Sequence, residues 1–402
     1  MKTIKLFFIF LVALAVLGLT ACPYDDELVI HRDPDNNGPD EPKPPEPPEY
    51  NYPSSQEYLV GVSYFAGWWD DVNNGWFYPW TGLEWLTRFP GRQPLLGKYI
   101  TQETLNKEII AASDHHVDFF QMLWYPLYND DDEVRRGIYL NDGIKYFMES
   151  PENYRMRFYL EYCNGGGFGL KNLDVWKQAC ADLVEIMKHP AYLKVGGKAM
   201  FKIHNIHTFY VDEAGAANAA DWLQYLRDLA EEEGVGELLI GAGAGESSTF
   251  PASNTPREQV DYTNFYMGLT TLPKNEEEHS YDVLAGYALE IAERWTNPAM
   301  PFPNLPYIPS SWNPKPWVDP VVNPNIYFTF PTRTQWNKML TDMKDMLDDH
   351  SNLRIPDGTP NGQKMLNIYC WNEYGEGGIV SPTVGEGFMK LQEIKRVFPR
   401  LP

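Results

Sequence analysis

Residues 365–378 read MLNIYCWNEYGEGG, an apolar run that turns abruptly into a glycine-rich loop. Met365–Cys370 has the length and side chains of a buried strand. The loop after it carries Glu373 and Glu376, walled by Trp371 and Tyr374 and loosened by Gly375, Gly377 and Gly378. Parallel barrels keep their chemistry on loops at the C-terminal ends of strands, so this stretch names both a fold class and a place to look.

Working outward, seven more short apolar runs qualify as strands: Leu59–Phe65, Val117–Trp124, Arg157–Tyr162, Ala199–Ile203, Leu238–Ala242, Tyr262–Tyr266 and Pro306–Ser310. Helical stretches alternate with them. TQETLNKEIIAASDHH (101–116) opens on a threonine with acid in its early turns, and Asp174–Lys188 follows an aspartate cap. AADWLQYLRDLAEEEG (219–234) stops at a glycine. SYDVLAGYALEIAERW (280–295), TRTQWNKMLTDMKDMLDDH (332–350) and GFMKLQEIKRVF (387–398) are amphipathic. Alternating strands and helices predict a (β/α)8 TIM barrel spanning 57–402 as one catalytic domain.

The start of the chain reads differently. Lys2 and Lys5 precede the apolar run Leu6–Leu19, which ends in Leu19-Thr20-Ala21-Cys22. This resembles a bacterial lipoprotein signal over 1–21, and the resemblance implies acylation of Cys22 and a membrane-anchored lipoprotein of the outer membrane. Residues 22–56 are rich in proline and acid with no apolar period, which predicts a disordered stalk reaching up to roughly 100 Å. The formal charge of −22 argues against nucleic acid or an anionic bilayer face as partner, so the membrane contact expected is the lipid alone. Three cysteines remain beyond Cys22. Cys163 and Cys370 lie in strand-like runs, and buried free thiols are expected.

Two carboxyls held close oppose each other's ionisation, so one keeps its proton near neutral pH while the other is charged. Such a pair supplies the acid and the base that cleave a glycosidic bond. Glu373 and Glu376 are therefore the candidate catalytic residues. With 13 Trp and 25 Tyr, many near strand ends, the chain also offers flat faces for sugar rings. Tyr64, Trp68 and Trp69 follow the first strand, Trp124 and Tyr125 the second, Trp312 the seventh, and Trp371 and Tyr374 the eighth. Glu161, Asn164, His204 and Asn372 are candidate hydrogen-bond partners for an oligo- or polysaccharide.

These residues carry a resemblance. WNEYGEGG (371–378) resembles the Asn-Glu-Trp-x-Glu-Gly signature of glycoside hydrolase family 99, the endo-α-mannosidase group, and of the related WbsX-type proteins. GVSYFAGWW (61–69), PLLGKY (94–99), HHVDFFQMLWY (115–125), HPAYLKVGGKAMFKI (189–203) and SSWNPKPW (310–317) are similar to further segments of that family, in the same order. Tyr374 stands where the family usually has Trp, and Asn313 where it often has Asp, which brings the match nearer the WbsX-like branch. The resemblance implies a barrel without a redox cofactor that cleaves α-glycosides with retention. It implies Glu373 as the base that deprotonates the sugar 2-hydroxyl and Glu376 as the acid/base on the leaving oxygen. A glycan-binding lipoprotein on the same barrel, or a polysaccharide-processing protein of WbsX type, are the alternatives.

Other features point elsewhere or nowhere. His204 and His207, with His115 and His116, lack a metal site's spacing, so no metal is expected. GAGAGESS (241–248) is not a dinucleotide fingerprint and follows the fifth strand, so no nucleotide cofactor is expected. Asp118, flanked by apolar residues, reads as structural.

Overall fold

The computed structural model describes residues 57–70, 75–78, 83–128, 139–165, 167–243, 259–266, 278–318 and 325–400. The chain divides into two units, 1–47 and 48–402, and every described residue lies in the second. The signal-like segment, Cys22 and the proline-rich stretch fall outside the described residues.

Eight parallel strands form the centre: β1 Tyr58–Tyr64, β2 Phe119–Trp124, β3 Arg157–Tyr162, β4 Lys198–Ile203, β5 Leu238–Ala242, β6 Tyr262–Thr263, β7 Tyr307–Pro309 and β8 Gln363–Tyr369. Each coincides with an apolar run read from the sequence, although β6 and β7 are shorter than expected. In space they run β7–β8–β1–β2–β3–β4–β5–β6, a curled parallel sheet. Its two ends meet at one parallel bridge, Thr263 to Asn304, just ahead of β7. There the Thr263 N–H donates to the Pro303 carbonyl at 3.0 Å and the Leu305 N–H to the Thr263 carbonyl at 2.8 Å.

The helices begin and end for local reasons. Helix α1, Gln102–Asp114, starts where the Thr101 hydroxyl accepts the Thr104 N–H. Helix α2, Asp142–Glu149, was not foreseen. It is two turns long, and Gly143 in its first turn weakens its helix propensity; a Cβ there would come within 3.0 Å of the Tyr64 ring. Helix α3, Leu173–Met187, is capped by Asn172, two residues ahead of the expected aspartate. Helix α4, Ala219–Glu232, stops before Gly234, whose φ of +81° ends the helix as glycines do. Helix α5, Tyr281–Trp295, is capped by Ser280, and α6, Arg333–Asp349, by a reciprocal capping box between Thr332 and Gln335. Helix α7, Met389–Val397, follows β8 and its loop.

The period of two in the strands divides the core into two chemistries. Residues such as Val60, Val62, Phe120, Phe158 and Ile368 are fully buried in the apolar core. The other face of the strands places Ser63, Gln121, Glu161, Lys202 and Asn367 inside the curl, all buried and polar. Asn367 Nδ2 donates to Ser63 Oγ at 3.0 Å and to Gln121 Oε1 at 2.7 Å, and Ser63 Oγ meets the Tyr307 hydroxyl at 2.7 Å. At the opposite end, Asp118 accepts from the Val60 N–H at 2.8 Å and from Arg400 at 3.0 Å. That ties the end of the chain to the start of β2, the structural role its apolar flanks suggested.

Candidate functional site

The loop after β8 doubles back as a tight hairpin in which Asn372–Glu373 pairs antiparallel with Gly378–Ile379. Its glycines are demanded by what touches them. A Cβ on Gly375 would fall 2.0 Å from the Trp317 ring, and Gly377, at φ +81°, lies 2.9 Å from the Asn313 nitrogen by the same measure. Buried Arg92 clamps the loop from beneath. Its guanidinium donates to the carbonyls of Tyr374 at 2.8 Å and Asn313 at 2.7 Å, and reaches that of Gly375 at 3.2 Å. The Asn313 N–H in turn donates to the Glu376 carbonyl at 2.6 Å. The backbone on both sides of the glutamates is thus held by charge-assisted and backbone hydrogen bonds.

Glu373 is 7% exposed, and among the described residues its Oε2 has no hydrogen-bond partner. Burial in a poorly solvated setting pushes its carboxyl up to about 8. Glu376 is half-buried and accepts a hydrogen bond from the Tyr369 hydroxyl; burial pushes it up to about 7. Tyr369 is the last residue of β8. Its ring meets those of Trp312 at 6.0 Å, Tyr307 at 6.1 Å and Tyr266 at 5.9 Å, an aromatic wall at the strand ends.

Across the mouth, Glu161 on β3 is fully buried and fully engaged. It accepts from Gln121 Nε2, from the Tyr266 hydroxyl at 3.0 Å and from His204 Nδ1 at 2.8 Å, and pairs with Lys202 Nζ at 3.1 Å. Burial works against its charge, but Lys202 and His204 outweigh that and hold its carboxyl down to about 2. Burial pulls Lys202 below its ordinary value against the pull of Glu161; the carboxylate beside it and the rings of Tyr266 and Tyr307 at 4.4 and 5.1 Å favour its charged form.

The structure sorts the remaining sequence candidates into two groups. His204, Trp69, Tyr125 and Trp312 are half-buried beyond strand ends. Tyr125 lies near Glu373: burial, and then the neighbouring Cys163 and Glu373, hold its hydroxyl protonated well above the usual range. The others expected to face a sugar are packing residues instead. Tyr64 points outward, its hydroxyl donating to Glu108 on α1 at 2.7 Å. Trp68 donates to the Asn372 carbonyl at 2.7 Å and packs against Trp76, Trp85 and Tyr374. Tyr374 stacks on Trp76 with centroids 5.2 Å apart. Trp371 packs on Phe120, and Trp124 on Tyr162. Asn372 accepts from the Phe65 N–H at 2.9 Å, and Asn164 bonds Glu213 and both backbone groups of Asn205. All seven are buried, with their surfaces spent on other protein groups.

The histidines do not converge. His115 and His116 bond backbone carbonyls of Ala111 and Phe398, and His207 is exposed. Cys163, Cys180 and Cys370 are free and buried.

Sequence reasoning missed Arg92, Gln121, Lys202, Tyr266, Tyr307 and Tyr369. One signal was present: Lys202 interrupts the apolar run AMFKI, and a charge in a buried strand requires a partner.

No family model matches the chain, and no curated protein does. Solved structures do. A protein described as a glycoside hydrolase-like protein superposes with a TM-score of 0.54 at 14% identity, covering 87% of this chain and 96% of that one. The GH99 endo-alpha-mannosidase from Bacteroides thetaiotaomicron superposes with a TM-score of 0.51 at 13% identity, covering 84% and 95%. What is shared at these identities is the fold, a curled parallel sheet of TIM-barrel type.

Proposed function

We propose that this chain is a retaining glycoside hydrolase that cleaves α-linked, mannose-type glycans with Glu373 and Glu376. The observation that carries the reading is the pair itself: two carboxyls on one braced hairpin at the end of β8, both raised by burial into the range where a proton can be held and released. The motif resemblance and the fold of the GH99 endo-alpha-mannosidase support the substrate class.

In this scheme Glu373 takes the proton of the sugar 2-hydroxyl as O2 attacks C1, while Glu376 protonates the departing glycosidic oxygen. Water, deprotonated by Glu376, then opens the 1,2-anhydro sugar at C1, and Glu373 returns its proton to O2. The stereochemistry is retained after two inversions. Burial alone leaves Glu373 the more firmly protonated of the two, so its role as base requires that the incoming hydroxyl stabilise its charged form. The Oε2 left without a partner is where that hydroxyl would donate. Tyr369, donating to Glu376, steadies the carboxylate that forms when Glu376 gives up its proton. We further propose that the enzyme is a lipoprotein held to the outer membrane through acylated Cys22.

The deciding experiment is hydrolysis of α-mannan and α-linked mannooligosaccharides by the wild type and by Glu376→Gln. Product with the first and its loss with the second supports the reading. Saccharide binding without turnover in either makes the chain a capture protein.

A further inference from the structure

Glu161 was a candidate substrate contact, but its surroundings leave it no capacity for one. Each of its oxygens accepts from neighbouring donors, and the residue is fully buried. What reaches the mouth is the next group out. His204 follows β4, and its side chain is 36% exposed. Its Nδ1 meets Glu161 Oε1 at 2.8 Å, whereas its Nε2 has no partner among the described residues. An ionised carboxylate can only accept, so Nδ1 must carry the proton, and in the neutral ring Nε2 is left as an acceptor. The Tyr266 ring packs against the imidazole with centroids 4.8 Å apart.

We propose that Glu161 and Lys202 form a positioning unit that locks His204 in the Nδ1–H tautomer, so that Nε2 accepts a hydrogen bond from a saccharide hydroxyl. The saccharide part of this rests on the glycosidase reading; the tautomer does not. Lys202 is the element on which the lock depends. It is the cation that keeps Glu161 ionised inside the curl, and at 0% exposure it has no access to substrate itself. The other titratable groups facing Glu161 are Tyr125, Tyr266, Tyr307, Cys163 and, on its own strand, Tyr159, with Tyr262 from β6. Burial keeps all of them protonated, so none can replace Lys202 as a positive charge.

Without that cation, Glu161 would retain a proton, could donate it to Nδ1, and would turn Nε2 into a donor. The sign of the pH dependence follows. In Lys202→Met the lock is absent at low pH and returns as rising pH ionises Glu161.

The test is nitrogen-15 spectroscopy of the full chain labelled at histidine, at about pH 8 where an ordinary imidazole is neutral. His204→Gln identifies the resonances. The wild type is expected to show protonated Nδ1 and bare Nε2, with an α-linked mannooligosaccharide shifting Nε2. Lys202→Met is expected to show the opposite tautomer and a kcat/KM reduced about tenfold at that same pH, both reverting as the pH is raised further and Glu161 ionises. The double variant Lys202→Met, Glu161→Gln, whose amide nitrogen can turn to Nδ1 once the ammonium no longer faces the same atom, gives the same tautomer change should the single lysine variant fail to fold. An Nε2–H tautomer in the wild type, or a saccharide that binds and leaves Nε2 unmoved, overturns the proposal. The expected tautomer in a chain that neither binds nor cleaves any α-glycoside sinks the glycosidase reading while leaving the lock in place.

Discussion

Glu161 and Glu373 are both buried toward the C-terminal ends of strands of one curled sheet, yet the protein treats them in opposite ways. Glu161 is surrounded by a cation and three donors and stays ionised. Among the described residues Glu373 has an oxygen with no partner, and burial acts on it unopposed. A buried carboxylate with every acceptor site filled is an anchor, since any proton transfer would break several bonds at once. A buried carboxyl with an empty site is poised to exchange a proton with something that arrives. The difference separates scaffold from chemistry among residues that look alike in the sequence.

The largest expected effect tests the chemical side. Glu376→Gln and Glu373→Gln each remove a proton-transfer group, and hydrolysis rates should fall by about 10²–10⁴-fold. Circular dichroism and melting should show an intact fold, with Glu373→Gln no less stable than wild type at neutral pH because a neutral amide suits the site better than a carboxylate. A loss of fold in that variant would mean that Glu373 is an anchor like Glu161, and the contrast would disappear.

The next effect tests the scaffold side. Lys202→Met leaves the buried Glu161 carboxyl without its cation, so that it must take up a proton or stay unpaired, and breaking a buried pair from one side costs about 3–5 kcal/mol. The double variant Lys202→Met, Glu161→Gln should be more stable than the sum of its parts implies, as coupled neighbours are. Denaturant unfolding of the four proteins reads the coupling directly, and additive losses would show that Lys202 serves the core in some other way.

The pH dependence of stability should then run in opposite directions for the two acids. The Glu373 carboxyl is raised from 4.5 in a solvated chain to about 8 in the fold, so its stabilising contribution is complete below about 4.5 and is lost as pH rises through 8. Glu161 is lowered from 4.5 to about 2, so its contribution is present above 4.5 and is lost as pH falls toward 2. Unfolding free energies measured across pH for Glu373→Gln should therefore converge on wild type in acid and exceed it in mild alkali. A wild-type curve parallel to that of the variant would show that Glu373 is better solvated than its burial implies.

How far the same contrast was legible in the sequence depends on what each feature needs. The eight strands were legible because parallel strands are buried on both faces and read as unbroken apolar runs. The same fact hid the site. When both faces are buried, nothing in a run such as AMFKI says which side chain enters the curl and which joins the outer layer. Lys202 betrayed itself by its charge, whereas Tyr307 and Tyr369 looked like their apolar neighbours. The glutamate hairpin was legible because its glycines are forced by contacts with Trp317 and Asn313, and local crowding leaves a local mark. The aromatics were misjudged for the converse reason. Trp68 and Trp76, near each other after β1, meet Tyr374 from the far end of the sequence, and a cluster completed by such a tertiary contact leaves no local pattern.

That misjudgement supplies the smallest effect. Trp312 and Trp68 both follow strands in aromatic, glycine- or proline-rich loops, but Trp68 is 1% exposed while Trp312 is half-buried against Tyr369. If Trp312 is the sugar-facing ring, Trp312→Ala should raise KM by severalfold, the loss of one aromatic contact of about 0.5–1.5 kcal/mol, with melting little changed. Trp68→Phe should do the reverse. It removes the hydrogen bond to the Asn372 carbonyl, worth about 1 kcal/mol, and loosens the backbone beside Glu373. Its melting point should fall, and whatever activity is lost should appear in kcat, because the carboxyl is displaced while the binding surface is kept. Equal effects of the two variants on KM would place Trp68 back at the mouth and undo the division between packing and platform residues on which the site is drawn.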